Sequence, residues 1–402
     1  MRLLNSYSGY LFPLCGMALA CAAGAVLLMV GPALAQPGGG SQPVGDGVVP
    51  ASATAEADDA ETSFEALYQR LEGSVNEMED LRRKFGAASA AERMEIAREH
   101  DSKVDSLVQL LGDVKAAAES EFAANPQIDS KQAEFLADVL TREVQADRYE
   151  EADRLGRLFT EHNATPPKAV EAAGIAAFMA NDYARAERLF DAAAESGKLG
   201  LQGRQYLQSL DYYKKIWEEE KAYRAAEALA DDLPRVKFET NKGDIIIELF
   251  ENEAPNTVAN LISLVDKKYY DGLTFHRVLP GFMAQGGCPD GTGGGGPGYN
   301  IKCECRQAKH RKHFRGSLSM AKTSAPNTGG SQFFLCFVPT QHLDGQHTVF
   351  GRVIEGLDVL AELQQRDPSS PFASQITPDR IEKATVIRRR DHEYSPETLP
   401  ET

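Results

Sequence analysis

The sequence predicts a multidomain protein: an α-helical region followed by a mainly-β antiparallel barrel with helices covering its ends. Three observations carry that expectation. Between residues 62 and 232 apolar residues recur at helical spacing, with charges on the opposite face. From Val236 onward the pattern changes to short β-rich runs punctuated by glycine. The length, 402 residues, leaves room for two or three domains.

The composition, 42% hydrophobic and 25% charged, is that of a protein able to bury a core. The net charge of −16 argues against nucleic acid as the main partner, because phosphate binding needs a positive field. Two short basic runs, His310–Arg315 and Arg388–Arg390, read as solvated faces. Four of the six cysteines (Cys288, Cys303, Cys305, Cys336) follow the leader, too few to make a disulfide framework. A bridge such as Cys288–Cys303 stays open at this stage.

Residues 1–35 begin with Arg2, continue through an apolar run from Leu11 to Val30 and end in Ala33-Leu34-Ala35. That order reads as a secretory signal peptide cleaved after Ala35. The length of the run also suits an uncleaved N-terminal membrane anchor. Either reading exports the rest of the chain, to a periplasmic or other extracytoplasmic location. Residues 36–61, rich in Gly, Pro, Ala and Asp, cannot bury a core and read as a flexible linker.

In the helical region, residues 62–232, Phe64, Leu71, Met78 and Phe85 fall at seven-residue spacing, with Leu67 and Leu81 beside them. This is an amphipathic helix able to pair with another. Asn125-Pro126 and Thr165-Pro166-Pro167 mark breaks. Gly174, Ala186, Phe190 and Ala193 have small-and-aromatic spacing, and Asp182–Ala186 echoes Asp147–Ala152 at a distance of 34 residues. The stretch weakly resembles tetratricopeptide repeats. That resemblance implies one or two degenerate helix pairs and a docking surface for a protein partner, with a plain helical bundle as the alternative. Leu201–Ala230 reads as a further helix, ended by Leu233-Pro234.

Val236–Glu239 and Asp244–Leu249 flank a turn at Thr240–Gly243 and read as a β-hairpin. Pro255 starts a helix expected to run through Tyr270. Many short strands follow. Between Phe275 and Phe350 lie Phe275-His276-Arg277-Val278, Phe282-Met283-Ala284-Gln285-Gly286-Gly287, Leu318–Ala321, Ser331-Gln332-Phe333-Phe334 and Leu343–His347. One arginine and two amides thus sit among a high density of Phe, Met and Leu. That mixture suits a concave apolar pocket with a few fixed polar groups.

These ordered motifs resemble the cyclophilins, peptidyl-prolyl cis/trans isomerases, over roughly residues 233–390, with 391–402 left as a C-terminal tail. The resemblance implies an eight-stranded closed barrel and isomerisation of X–Pro bonds in proline-containing polypeptide clients, without metal or cofactor. It implies Arg277 as the catalytic residue. A guanidinium, permanently charged with rigid donors, suits a hydrogen bond to the prolyl nitrogen better than lysine does. Phe282, Met283, Phe334 and Leu343 match the proline pocket, with His347 at its edge. Gln285 matches the amide that positions the substrate backbone and the arginine. Ala321, Thr323 and Gln332 match the surface for residues preceding proline. His342 stands where many members carry tryptophan, which predicts retained catalysis and weaker binding of cyclosporin-like inhibitors.

Rival motifs are weaker. Gly291–Gly296 formally matches GxGxxG, but Pro297-Gly298 follows where a dinucleotide site needs a helix. Cys303, Cys305, His310 and His313 offer four zinc-type ligands within eleven residues, against which stands the tight C-x-C spacing. His276 reads as a structural neighbour of Arg277. The joint expectation is an exported isomerase that accelerates X–Pro rotation during the folding of exported proteins.

Overall fold

The computed structural model describes residues 61–401. The expected signal or anchor, and all but the last residue of the linker, lie outside the described residues. The chain forms two compact units: residues up to Arg142 with Arg157–Ala169, and Glu143–Gly156 with the remainder from Val170. The two units thus divide within the helical region. Helices beyond Val170 belong to the same unit as the β-sheet.

In the first unit α1 (Phe64–Ala87) and α2 (Ala90–Ala124) pair through Met78, Leu81 and Leu107, with Leu71 and Val75 packed around them. The seven-residue spacing in α1 is the stripe that buries these side chains. Ser89 and Glu92 form a reciprocal cap at the start of α2, satisfying backbone N–H groups that the first turn leaves free. α3 (Lys131–Gln145) and α4 (Tyr149–Glu161) follow the break at Asn125-Pro126.

The second unit continues with α5 (Val170–Met179), α6 (Tyr183–Glu195) and α7 (Leu201–Ala230). Gly174 permits the close approach of α5 and α6, since a Cβ there would lie 2.8 Å from the Phe190 ring. Phe178 fills the space toward α7, its ring 4.7 Å from Tyr206 and 5.2 Å from Tyr213.

The β-hairpin forms as β1 (Arg235–Thr240) and β2 (Gly243–Leu249). Next comes α8 (Pro255–Asp266), which stops four residues short of the expected end because Lys268 adopts a left-handed φ of 58°. Tyr270 is thereby free to drop into the core and donate to the Ser331 carbonyl. Six further strands complete the main sheet: β3 (Arg277–Leu279), β4 (Met283–Gly286), β6 (Ser317–Met320), β7 (Phe333–Cys336), β8 (Val349–Glu355) and β9 (Ile381–Arg388). Eight strands curl in the antiparallel order β3-β4-β7-β6-β8-β2-β1-β9. The end strands β3 and β9 share no ladder. The curl is joined just ahead of them instead, where Thr274 bridges Arg380 and the Phe275 N–H donates to Asp379. Phe238, Phe275, Phe333 and Phe350 fill its interior.

Two short strands stand apart, β5 (Tyr299–Ile301) and β10 (Thr398–Pro400), which pair with each other. The segment after Arg390 is thus folded back onto the sheet domain. α9 (Leu357–Glu362) covers one end.

The run His310–Arg315 corrects the expectation of a solvated face. Arg311 is buried, donates to Glu220 at 2.8 and 3.0 Å, pairs with Glu227 and stacks 3.7 Å from the Phe250 ring centroid. Phe314 packs 5.3 Å from Trp217. Arg352 and Arg235 share Glu248 at 2.7 and 2.8 Å, and Arg352 reaches Glu227 at 2.9 Å. The second run also turns to acids: Arg388 bonds Asp231 and Glu248, and Arg390 bonds Asp232. The neutralising carboxylates are far away in sequence, so each run looks unpaired when read locally. Glu220, for example, precedes Arg311 by 91 residues.

Candidate active site

The pairing register builds the site. Arg277 lies opposite Gln285, Gln285 opposite Phe334, and Phe334 opposite Ser319, a single row across four strands. Side chains directly opposite one another share a face of the sheet. Phe333, one residue along, therefore points inward, 5.4 Å from Phe238, while Phe334 points outward.

Outward-facing Met283, Ala321, Phe334 and Cys336 form one apolar cluster, flanked by half-buried Leu279, Phe282 and Leu343. Four expected proline-pocket residues are thus brought together. His342 is exposed at the rim, its ring 5.7 Å from Phe282 and tilted by 31°. His347 stands edge-on to Phe334 at 5.5 Å, with Nδ1 3.0 Å from the Met320 carbonyl. Burial lowers the pKa of His347 from its ordinary value.

Arg277 is half-buried at the mouth, its guanidinium 5.8 Å from the Phe282 ring centroid. Among the described residues it has no hydrogen-bond or ion-pair partner. Gln285 donates to Gln332 at 2.9 Å, and Gln332 donates to the Gly293 and Gly295 carbonyls. These amides open onto a cavity of about 340 Å³, also lined by Ala321, Thr323 and Gly293–Pro297. Thr323 is exposed and tied to Thr328, so it belongs to this cavity and not to the apolar cluster.

His276 sits behind Arg277. Burial, with Arg366 and Arg277 adding to it, pushes its pKa down to about 4. A ring kept neutral beside two guanidiniums adds no repulsion at the mouth.

The remaining motifs have structural employment. The glycine loop is followed by β5, not by a helix, and instead lines the cavity. It starts where Gly287 (φ 82°) brings the chain so close to Ser331 that a Cβ would sit 2.4 Å from its carbonyl oxygen. Among the described residues no cluster of three or more His, Cys, Asp or Glu is placed to hold a metal. Glu304, between Cys303 and Cys305, accepts from the Asn256 and Thr257 N–H groups and caps α8. His313 is buried and committed to Asp344 and Ser319. All four described cysteines are free thiols, and Cys288 accepts from Gly293 and Gly295 N–H groups.

Sequence reasoning missed Asp344, His313, Ser319 and the glycine loop as supports of the site. Asp344 and Ser319 lie inside the cyclophilin-like motifs and His313 in the zinc-like set, but their contacts with one another form only in the fold. The Gly291–Gly296 run reads from sequence only as a formal GxGxxG match.

The site is an apolar cluster bordered by one guanidinium and two linked amides. The family model of the cyclophilin type peptidyl-prolyl cis-trans isomerases matches residues 235–386. A peptidyl-prolyl cis-trans isomerase of Helicobacter pylori is 56% identical over 132 residues, 32% of this chain and 80% of that one. Isomerase B of Bacillus subtilis is 54% identical over 123 residues, 31% of this chain and 85% of its own length. A solved cyclophilin-type isomerase from Cryptosporidium parvum aligns at TM-score 0.36 and 32% identity, covering 39% of this chain and 99% of that one. The chain belongs to the cyclophilin-type peptidyl-prolyl cis-trans isomerase family, and it is a peptidyl-prolyl cis-trans isomerase.

Proposed function

We propose that Arg277 drives the rotation at this site, and that the protein uses it in the folding of exported polypeptides. Rotation about an X–Pro bond gives up amide resonance against a barrier of about 18–20 kcal/mol. The prolyl ring seats among Phe282, Met283, Phe334 and Leu343 while the preceding carbonyl swings in the open mouth. As the prolyl nitrogen becomes pyramidal it gains a lone pair, and the Arg277 guanidinium donates to it. That bond forms only in the twisted state, so it lowers the barrier and does not merely tighten binding. Gln285 and Gln332 hold the backbone before the proline, next to Ala321 and Thr323.

The observation that carries this reading is the placement of Arg277. Strand pairing fixes it opposite Gln285, beside Phe282, with its donors unclaimed among the described residues. The test is isomerisation of a short X–Pro peptide by the full chain and by Arg277→Ala. Losing one transition-state donor lowers kcat by about 10²–10³-fold. A variant that keeps the wild-type rate removes Arg277 from the mechanism.

The cellular half of the proposal rests on the character of residues 1–35. It expects a mature N-terminus at Gln36, or an anchored chain outside the cytoplasm, by N-terminal sequencing and fractionation. It also expects the protein to accelerate refolding phases of exported proteins that last tens of seconds through X–Pro bonds. A cytoplasmic chain beginning at Met1 would end that half. The helical region is proposed to recruit a protein partner or clients. Removing Phe64–Ala124 and measuring client capture tests this, since loss of capture with peptide isomerisation intact is the expected result.

A further inference from the structure

The family match begins at residue 235, yet one wall of the proline pocket is held from outside it. Leu343 closes a short 3₁₀ turn, Gln341–Leu343, and α7 grips both ends of that turn. At the start, the Tyr213 hydroxyl accepts the Gln341 N–H at 3.0 Å. At the end, the Tyr212 hydroxyl donates to Asp344 Oδ2 at 2.5 Å. The other carboxylate oxygen, Oδ1, accepts the His313 backbone N–H at 2.8 Å and lies 2.8 Å from His313 Nδ1. His313 Nε2 lies 2.9 Å from the Ser319 hydroxyl, and its ring stacks on Phe334 at 5.9 Å, with planes 4° apart. The Ser319 hydroxyl in turn donates to the Thr348 carbonyl at 3.1 Å, so the ring is held from both of its nitrogens. A chain of contacts therefore runs from α7 to the wall and floor of the pocket.

We propose that Tyr212 is a positioning residue of the isomerase, fixing Asp344 and thereby the seats of Leu343 and Phe334. The proposal rests on the reading of the proline pocket given above. Its physical basis is preorganisation: a wall ordered before binding costs less to order on binding. Arg277 belongs to β3, and none of these contacts touches it. Tyr212 therefore supports proline binding and leaves the rotation step alone.

The test uses the full chain and a short X–Pro peptide, with kcat and KM separated by exchange NMR. Tyr212→Phe keeps the ring, which packs 5.3 Å from Tyr213, and removes only the hydroxyl. The expected result is a KM raised about five-fold, with kcat within about two-fold of wild type. Wild-type KM, or a fall confined to kcat, overturns the proposal. If Tyr212→Phe melts early, Tyr213→Phe releases the other end of the same turn and is judged by the same split. Arg277→Ala serves as the contrast, since its loss falls on kcat. If it falls on neither constant, the catalytic reading fails by itself, while the Tyr212 result still decides the positioning role.

Discussion

Gln285 donates its side-chain amide to Gln332 at 2.9 Å, and Gln332 holds two carbonyls of the glycine loop, Gly293 and Gly295. The two glutamines thus tie the row that carries Arg277 to the loop lining the adjoining cavity. Gln332→Ala is expected to release the loop and leave the Arg277–Gln285 pairing in place. For a peptide extended by three residues before the proline, kcat/KM should fall about ten-fold, the worth of one to two hydrogen bonds. A minimal X–Pro substrate should lose less than about two-fold. Equal losses on both peptides would mean that the cavity does not receive the residues preceding proline.

His342 leaves the rim of the pocket thinly covered. Its exposed ring, 5.7 Å from Phe282, offers less apolar surface than an indole at the same place. A cyclosporin-like macrocycle should therefore bind this chain weakly, and His342→Trp should tighten binding at least ten-fold. That figure corresponds to roughly 60 Å² more apolar contact at about 25 cal/mol/Å². Isothermal titration of both proteins decides it, and nanomolar binding by the wild type would contradict the expectation.

Arg311 is a buried cation facing Glu220 and Glu227, with Glu253 3.5 Å away. Burial raises the pKa of Glu253 even with the guanidinium near it. Arg311→Leu would take the nearby cation from Glu253 and leave Glu220 and Glu227 with only Arg224 and Arg352. Removing one partner of such a buried set costs about 3–5 kcal/mol. Denaturant unfolding followed by the fluorescence of Trp217, which packs beside Phe314, should register that loss. Arg224→Leu, whose side chain is one-third exposed at the edge of the same network, should cost about 1 kcal/mol or less.

The depressed pKa of His276 has a definite sign for stability. With a folded value of about 4 against an ordinary 6.5, the unfolded chain takes up a proton first as the pH falls. The contribution is fully present above pH 6.5 and is lost progressively down to about pH 4, at no more than about 1.4 kcal/mol per pH unit. His313 and His347 shift in the same direction, both through burial. His276→Gln should flatten the stability curve between pH 6.5 and 4.5 relative to wild type. Parallel curves would show that His276 takes its proton equally well in both states.

The parts of this molecule written in local patterns were legible. Leu201–Ala230 was read as a helix to the residue, because its bounds are set by neighbouring sequence. The pocket side chains were legible through the ordered motifs that resemble the cyclophilins, and the β4–β7 register gives the physical reason that Met283, Gln285, Phe334 and Cys336 share a face. What failed locally depends on distant partners. His310–Arg315 looked like a wet basic face until its acids appeared on α7. The zinc-like pair Cys303 and Cys305 brackets a glutamate whose task is to cap a helix some fifty residues earlier. The end of α8 was misplaced because Lys268 adopts a left-handed conformation that its residue type does not advertise.

The seam between α7 and Arg311 also bears on the order in which the protein becomes itself. Glu220 leaves the ribosome 91 residues before Arg311, and Glu227 84 residues before. At about 5–20 residues per second, this interval is roughly 4–18 s. Throughout it Glu227 has no Arg311 to meet, and Glu220 has only Arg224 on its own helix. The inner face of α7 can thus reach its final burial only after Arg311, which follows four of the eight strands of the main sheet, has emerged. An early helix thus waits on a late arginine.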